Sequence, residues 1–248
     1  MNDSDAIIDA LGELKGLHAG SEMPAHERLD AIRGLITSSL APVRPLPSHG
    51  AIVLLAVAGF IAFSALVTIP LGFDGFHHLS ANQKLVYYAV ILLSAALLSA
   101  AIVQDMIPGS KRRLPPGSAI VLTVVALALV VFVLFPRLDF AHFIELGLPC
   151  LETGILCATG SGLVAYLLLR RGFSASPVRM ATTAGLLAGL AGVAVLALHC
   201  PLQNVAHIAV WHLGPMLIAA AAGTLLGLGR PGAPGDKTEG LASPSRRK

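Results

Sequence analysis

AIVLLAVAGFIAFSALVTIPL, Ala51 to Leu71, is 21 residues without a charge. A bilayer core about 30 Å thick is crossed by about 20 mainly apolar residues in a helix, so this run is long enough to span one. Five more runs meet or approach that length: Leu85 to about Ile107, Ser118 to Phe135, Leu146 to Leu169, Met180 to His199 and Val205 to Leu228. They are continuous rather than alternating, which argues against a β-barrel. Composition agrees, with 55% of the 248 residues hydrophobic and 12% charged, about half the charged share of a soluble domain. The expected fold is all-α, a polytopic membrane helical bundle with six transmembrane helices. The residues before Ala51 are largely polar, so no cleavable signal peptide is expected.

Lys and Arg set the orientation. With the N-terminus inside, the inner segments hold Lys15, Arg28, Arg33 and Arg44, then Lys111, Arg112 and Arg113, then Arg170, Arg171 and Arg179, and finally Arg230, Lys237, Arg246, Arg247 and Lys248. That is 15 of the 17 basic residues, and the outer loops keep only Lys84 and Arg137. The positive-inside rule therefore expects both ends in the cytoplasm, N-in/C-in, in a bacterial inner membrane. The basic pI follows from these flanks and gives no argument for a nucleic-acid partner.

Three parts follow: a cytoplasmic head over 1–48, the membrane domain over 49–229, and a tail over 230–248 whose Gly, Pro, Ser and charge read as disordered. In the head, Ile7, Ile8, Leu11 and Leu14 fall on one helical face. Leu29, Ile32, Leu35, Ile36 and Leu40 form a second stripe after Pro24. Two short helices bury too little surface to fold alone, so these stripes need a cover. The membrane surface or the other stripe would serve, as would a target protein on which the segment orders. Residues 1–22 hold Asp3, Asp5, Asp9, Glu13 and Glu22 against Lys15 alone. Anionic lipid repels such a stretch and a basic protein surface attracts it.

No phosphate-binding glycine loop, Ser–His–Asp set or carboxylate pair is present, so no enzyme is expected. The chemistry gathers at the outer side. The turn between the fourth and fifth spans centres near Ala175, and Cys150 and Cys200 each lie 25 residues from it. At about 1.5 Å per residue, both thiols reach the same depth at the outer mouth. That geometry allows a disulfide or a shared metal. Cys157 sits about 10 Å deeper on the same face and reads as a small buried hydrophobe. His199 adjoins Cys200, His207 and His212 open the sixth span, and Glu152 lies just inside the fourth, where a charge should face protein or a water-filled cavity. These are candidate metal ligands, soft and borderline donors suited to zinc. Trp211 and the interfacial histidines are equally readable as headgroup anchors. A haem pair is disfavoured, because no two histidines face each other from mid-helix. Gly185-Leu-Leu-Ala-Gly189 and Gly223-Thr-Leu-Leu-Gly227 permit close helix packing.

Several elements together carry a resemblance. They are six spans after a short head, the Pro108-Gly-Ser-Lys-Arg-Arg113 turn, Gly147-Leu-Pro-Cys150-Leu opening the fourth span, and Arg170-Arg171-Gly172 closing it. Ala197-Leu-His199-Cys200-Pro201 ends the fifth span and Trp211 follows. The chain resembles the NrsF family of negative regulators of sigma factors over most of residues 50–228. The resemblance implies a membrane anti-sigma factor whose partner is an extracytoplasmic-function sigma factor, released on a signal perceived through two outer cysteines and linked to heavy-metal stress. Those cysteines match Cys150 and Cys200, and the head would bind sigma through Ile7, Ile8, Leu11 and Leu14. No cofactor is required on this reading, beyond a metal ion held transiently at the outer cysteines. The rival readings are a small-solute transporter and a metal-binding membrane sensor without a sigma partner.

Overall fold

The computed structural model describes residues 25–39, 47–106, 115, 117–169 and 176–229. The chain divides into two units, Met1–Leu46 and Pro47–Lys248. In the first, α1 (Ala25–Ser39) begins directly after Pro24, and Leu29 and Ile32 of the second apolar stripe are exposed on it. The stripe Ile7, Ile8, Leu11 and Leu14, the Pro108–Arg113 turn, Arg170-Arg171-Gly172 and the 230–248 tail lie outside the described residues.

The second unit consists of α2 (His49–Leu71), α3 (Asp74–His78), α4 (Ala81–Met106), α5 (Ser118–Leu134), α6 (Phe143–Leu169), α7 (Pro177–His199) and α8 (Val205–Leu228). No strand occurs among the described residues. Ser48 caps α2 by accepting from the Ala51 N–H at 3.3 Å. Gly72, at φ +91°, ends the same helix, and its N–H donates to Thr68 O. Helices α2, α4, α6, α7 and α8 are long and apolar enough to cross a membrane, which marks a multi-pass membrane protein. The expected third span is a shorter apolar helix of 17 residues, α5. Pro136 pushes Phe135 out of the α region at one end, and Gly117 starts the helix at φ +82° at the other. The resulting length is about 26 Å, slightly under a typical hydrocarbon core.

Helix α7 is the most deeply buried of the long helices and α2 the least. Its most extensive contact is with α8, where glycines from both sides let the backbones touch. A Cβ on Gly185 would meet the Ala219 carbonyl, one on Gly189 would meet Met216 Cα, and one on Gly223 would meet the Ala181 carbonyl. Thr182 and Thr224 hydroxyls add a 2.8 Å hydrogen bond across the same pair. Against α6, Gly192 lies under the Gly154 carbonyl and the Ser161 hydroxyl donates to Ala188 O at 3.0 Å. The other face of α7 supplies Leu186, Leu190 and Val193 to a core completed by Tyr87, Ile91 and Leu98 of α4 and Leu127 and Val131 of α5.

Three hydrogen bonds gather the loops at the Cys200 end. Gln83 Nε2 donates to Leu134 O at 3.0 Å, Tyr88 OH to Ala197 O at 3.0 Å, and the Val205 N–H to Arg137 O at 3.0 Å. At the opposite end, Arg179 of α7 grips Asp105 of α4 with both forks, Nε to Oδ2 at 2.8 Å and Nη2 to Oδ1 at 2.5 Å. These side chains are only 20% and 10% exposed. Removing one partner of such a pair leaves an uncompensated charge.

Asp105→Ala should therefore destabilise the bundle by about 3 kcal/mol, with Asp105→Ala/Arg179→Ala recovering part of that loss. Gly189→Val should cost about 1–3 kcal/mol through overpacking, whereas Gly59→Val, which meets nothing within 4 Å, should be neutral. Thermal unfolding of the purified protein in detergent measures all four.

Candidate functional site

Cys150 lies in the second turn of α6, Cys200 caps the end of α7, and His207 and His212 sit in the first turns of α8. The structure brings these four together. Cys150 Sγ lies 3.5 Å from Cys200 Sγ, and Cys200 Sγ lies 3.5 Å from His207 Nε2. One ligand atom from each of the four falls within 4.8 Å of every other.

Local sequence explains each placement. Residues five apart on an α-helix point about 140° away from each other, so His207 and His212 should diverge. They converge because Ile208–His212 forms a π-turn, which closes i to i+5. Pro215 accounts for that turn: its ring has no N–H for the Trp211 carbonyl and clashes with it, so the helix takes up a wider turn just before it. Asn204 fixes the start of α8, its side chain accepting from the His207 N–H at 2.8 Å. Cys150 is seated by Gly147, three residues earlier. A Cβ there would run into the Trp211 indole, so only glycine lets α6 lie flat on that ring. Phe143 backs the same ring at 5.1 Å between centroids. Helix α3 closes the end: Gly75 packs against the Cys200 backbone so tightly that a Cβ would come within 2.5 Å of its carbonyl.

The interior of the cluster is rich in polar atoms without partners. Neither ring nitrogen of His212 makes a well-formed hydrogen bond, its polar neighbour being the Cys200 sulfur, and that residue is 1% exposed. His199 Nδ1, Trp211 Nε1 and Tyr87 OH are likewise buried and unpaired. In the connection between α7 and α8, the Cys150 thiol, together with His207 and His212, favours the thiolate at Cys200 and outweighs burial, pulling its thiol well below the ordinary range. Two sulfurs and two imidazoles are a donor set that suits a closed tetrahedral site for a zinc-like ion.

The matched depth expected for Cys150 and Cys200 is seen, and Cys157 is buried away from the cluster as a packed thiol. His207 and His212 join the two cysteines. His199 lies alongside but is not one of the four converging groups. Glu152 departs from expectation: it is exposed and points away from the cluster, because two residues past Cys150 a helical side chain has turned about 200°. Trp211 is a packed partner of α6 in addition to any anchoring role. The signal that reading by α-period missed is Leu213-Gly-Pro215, which forces the π-turn.

An all-helical bundle with five membrane-length helices and a buried thiol–imidazole cluster at one end defines a multi-pass membrane protein with a soft-donor site. The chain belongs to the NrsF family: the family model described as negative regulator of sigma F matches residues 36–229. No curated protein and no solved structure matches the chain. Residues 1–35, with Ile7, Ile8, Leu11 and Leu14, precede the family match.

Mild oxidation of the purified protein should yield an intramolecular Cys150–Cys200 disulfide and leave Cys157 free, as read by peptide mass mapping. Gly147→Ala, which lifts α6 off Trp211, should slow that reaction several-fold.

Proposed function

We propose that this protein is an anti-sigma factor of the bacterial inner membrane, with six spans and both ends in the cytoplasm. It holds an extracytoplasmic-function sigma factor and releases it when the chemistry at Cys150 and Cys200 changes. The observation that carries this reading is the 3.5 Å approach of two thiols from different helices, at one end of a bundle whose family regulates a sigma factor. The distribution of Lys and Arg supports the orientation that puts those thiols outside. A 17-residue α5 completes the sixth span with slight local thinning of the bilayer.

The head supplies the sigma-binding surface in this proposal. Its apolar stripe Ile7, Ile8, Leu11 and Leu14 is flanked by acidic residues that suit a basic protein surface better than anionic lipid. Two chemical events at the cysteines would serve as the signal. In the first, an S–S bond forms as both S–H bonds break, and two protons and two electrons pass to an outer oxidant of the peroxide or quinone class. In the second, a metal ion replaces the two thiol protons. The first draws α6 and the end of α7 together and the second fixes them at about their present spacing, and a bias of a few kcal/mol between two arrangements suffices for a switch.

In cells, the Cys150→Ser/Cys200→Ser protein should keep the sigma-dependent promoter silent under both metal and oxidant stress; a normal response would remove the sensing role. Ile7→Asp/Leu11→Asp should raise basal expression about tenfold or more, equivalent to about 1.4 kcal/mol of lost binding, and should abolish co-purification of the sigma factor with the full-length chain. Retained co-purification would move the binding surface elsewhere.

A further inference from the structure

The four converging side chains match a metal site more closely than they match a simple dithiol. In a tetrahedral site with metal–sulfur bonds of about 2.3 Å and metal–nitrogen bonds of about 2.0–2.1 Å, neighbouring ligand atoms stand about 3.3–3.8 Å apart. The Sγ–Sγ and Sγ–Nε2 separations are both 3.5 Å, inside that window, and all four ligand atoms lie within 4.8 Å. A second observation is independent of those distances. His212 is almost wholly buried, and neither of its nitrogens makes a well-formed hydrogen bond, the polar group beside it being the Cys200 sulfur. Buried polar atoms are normally paired, and a thiol pair that merely oxidised would leave that imidazole unserved. A third is the π-turn, which carries His212 round to the side of His207 where an ordinary helix would point it away.

We propose that Cys150, Cys200, His207 and His212 bind one divalent ion of the zinc class in a closed two-sulfur, two-nitrogen site. Two metal–sulfur and two metal–nitrogen bonds form, two S–H bonds break, and two protons leave to solvent; nothing is oxidised or reduced. His199 and Glu152 take no part. The ion ties α6 to the connection between α7 and α8, so the same atoms that define the site join the two elements expected to move. This deepens the reading of the cluster as the signal site, although binding itself does not depend on that reading.

The test uses the full-length protein in detergent, reduced and stripped with a chelator, then titrated with cobalt(II) and competed with zinc(II). One equivalent of cobalt should give the visible ligand-field bands of a tetrahedral site together with sulfur-to-metal charge transfer, and zinc should bleach both. X-ray absorption on the zinc-loaded wild type should show two sulfurs and two nitrogens, with no variant needed. His207→Ala and His212→Ala should each weaken binding more than the ~10-fold seen when only a ligand's hydrogen-bond partner is lost, while Glu152→Gln should not change it. A sulfur-only shell, an octahedral water-rich spectrum, or unchanged affinity in both histidine variants would overturn the proposal. The cellular reporter separates the two readings. A promoter that still responds through Cys150 and Cys200 without metal binding in vitro sinks the metal site alone. A protein that binds zinc as described but whose cysteine variants respond normally sinks the sensing role alone.

Discussion

The contact between α7 and α8 is the constraint from which the rest of the bundle follows. In a bilayer, apolar side chains gain nothing by leaving lipid for each other, so helix pairs are held by close packing and by hydrogen bonds between helices. Gly185 and Gly189 on one helix, with Gly223 and Gly227 on the other, bring backbone against backbone over several turns. Thr182 and Thr224 close that seam with a hydroxyl hydrogen bond. A helix clamped in this way has one face left for the core, and α7 presents Leu186, Leu190 and Val193 there to α4 and α5. It also has fixed ends. Arg179 is delivered to Asp105 at one end, and Cys200 to His207 at the other.

The cluster then depends on a local irregularity in the partner helix. Had α8 been regular, the clamp would still have placed its first turn beside Cys200, but with one histidine facing in and one facing out. Pro215 changes that count. By displacing the hydrogen bond to Trp211, it widens the turn, and the same turn swings Trp211 onto Gly147 of α6. A single proline therefore couples two outcomes: the pairing of the histidines, and the seat that holds Cys150 within reach of Cys200. The order of glycine, proline, cysteine, histidine and tryptophan along this chain is a set of steric requirements for one arrangement.

Most of the fold was legible because the bilayer enforces it. Continuous apolar runs gave the helices to within a few residues at each end, and the symmetric spacing of Cys150 and Cys200 about Ala175 placed both thiols at one depth. The glycine pairs were visible as patterns, but a Gly- and Ala-rich chain offers many such patterns, and only the packing shows which are used. What escaped reading needed information from across the bundle. Asp105 and Arg179 are 74 residues apart and each looks like an ordinary helix-end charge until the fold joins them. His207 and His212 are misread by any argument that assumes 3.6 residues per turn. Glu152 was misplaced for the converse reason: its charge suggested an inward position, while its spacing from Cys150 puts it on the opposite face. Helix α3 is five residues long, too short to carry a periodic signal.

The packing of α6 sets which parts of the bundle a change at the cluster acts on first. Near its start, α6 is pinned at Gly147 against Trp211 and at Gly154 against Gly192 and Pro215. Beyond Gly154 the Ser161 hydroxyl still ties α6 to the Ala188 carbonyl of α7, and beside that tie lies a largely apolar cavity of about 640 Å³, lined by Ala158, Gly162 and Tyr166 on one side and Ala184, Ala222 and Leu226 on the other. Tyr166 lies five residues beyond the Ser161 tie, about 7–8 Å along the axis, and lines that cavity, so the inner end of α6 is held less closely than the stretch from Gly147 to Ser161. Helix α7 is held more firmly, because its glycines lock it to α8 and Arg179 ties it to α4. Helix α6 carries Cys150 near its start, so bond formation at the cluster acts on the less firmly held of the two helices that bring the thiols together.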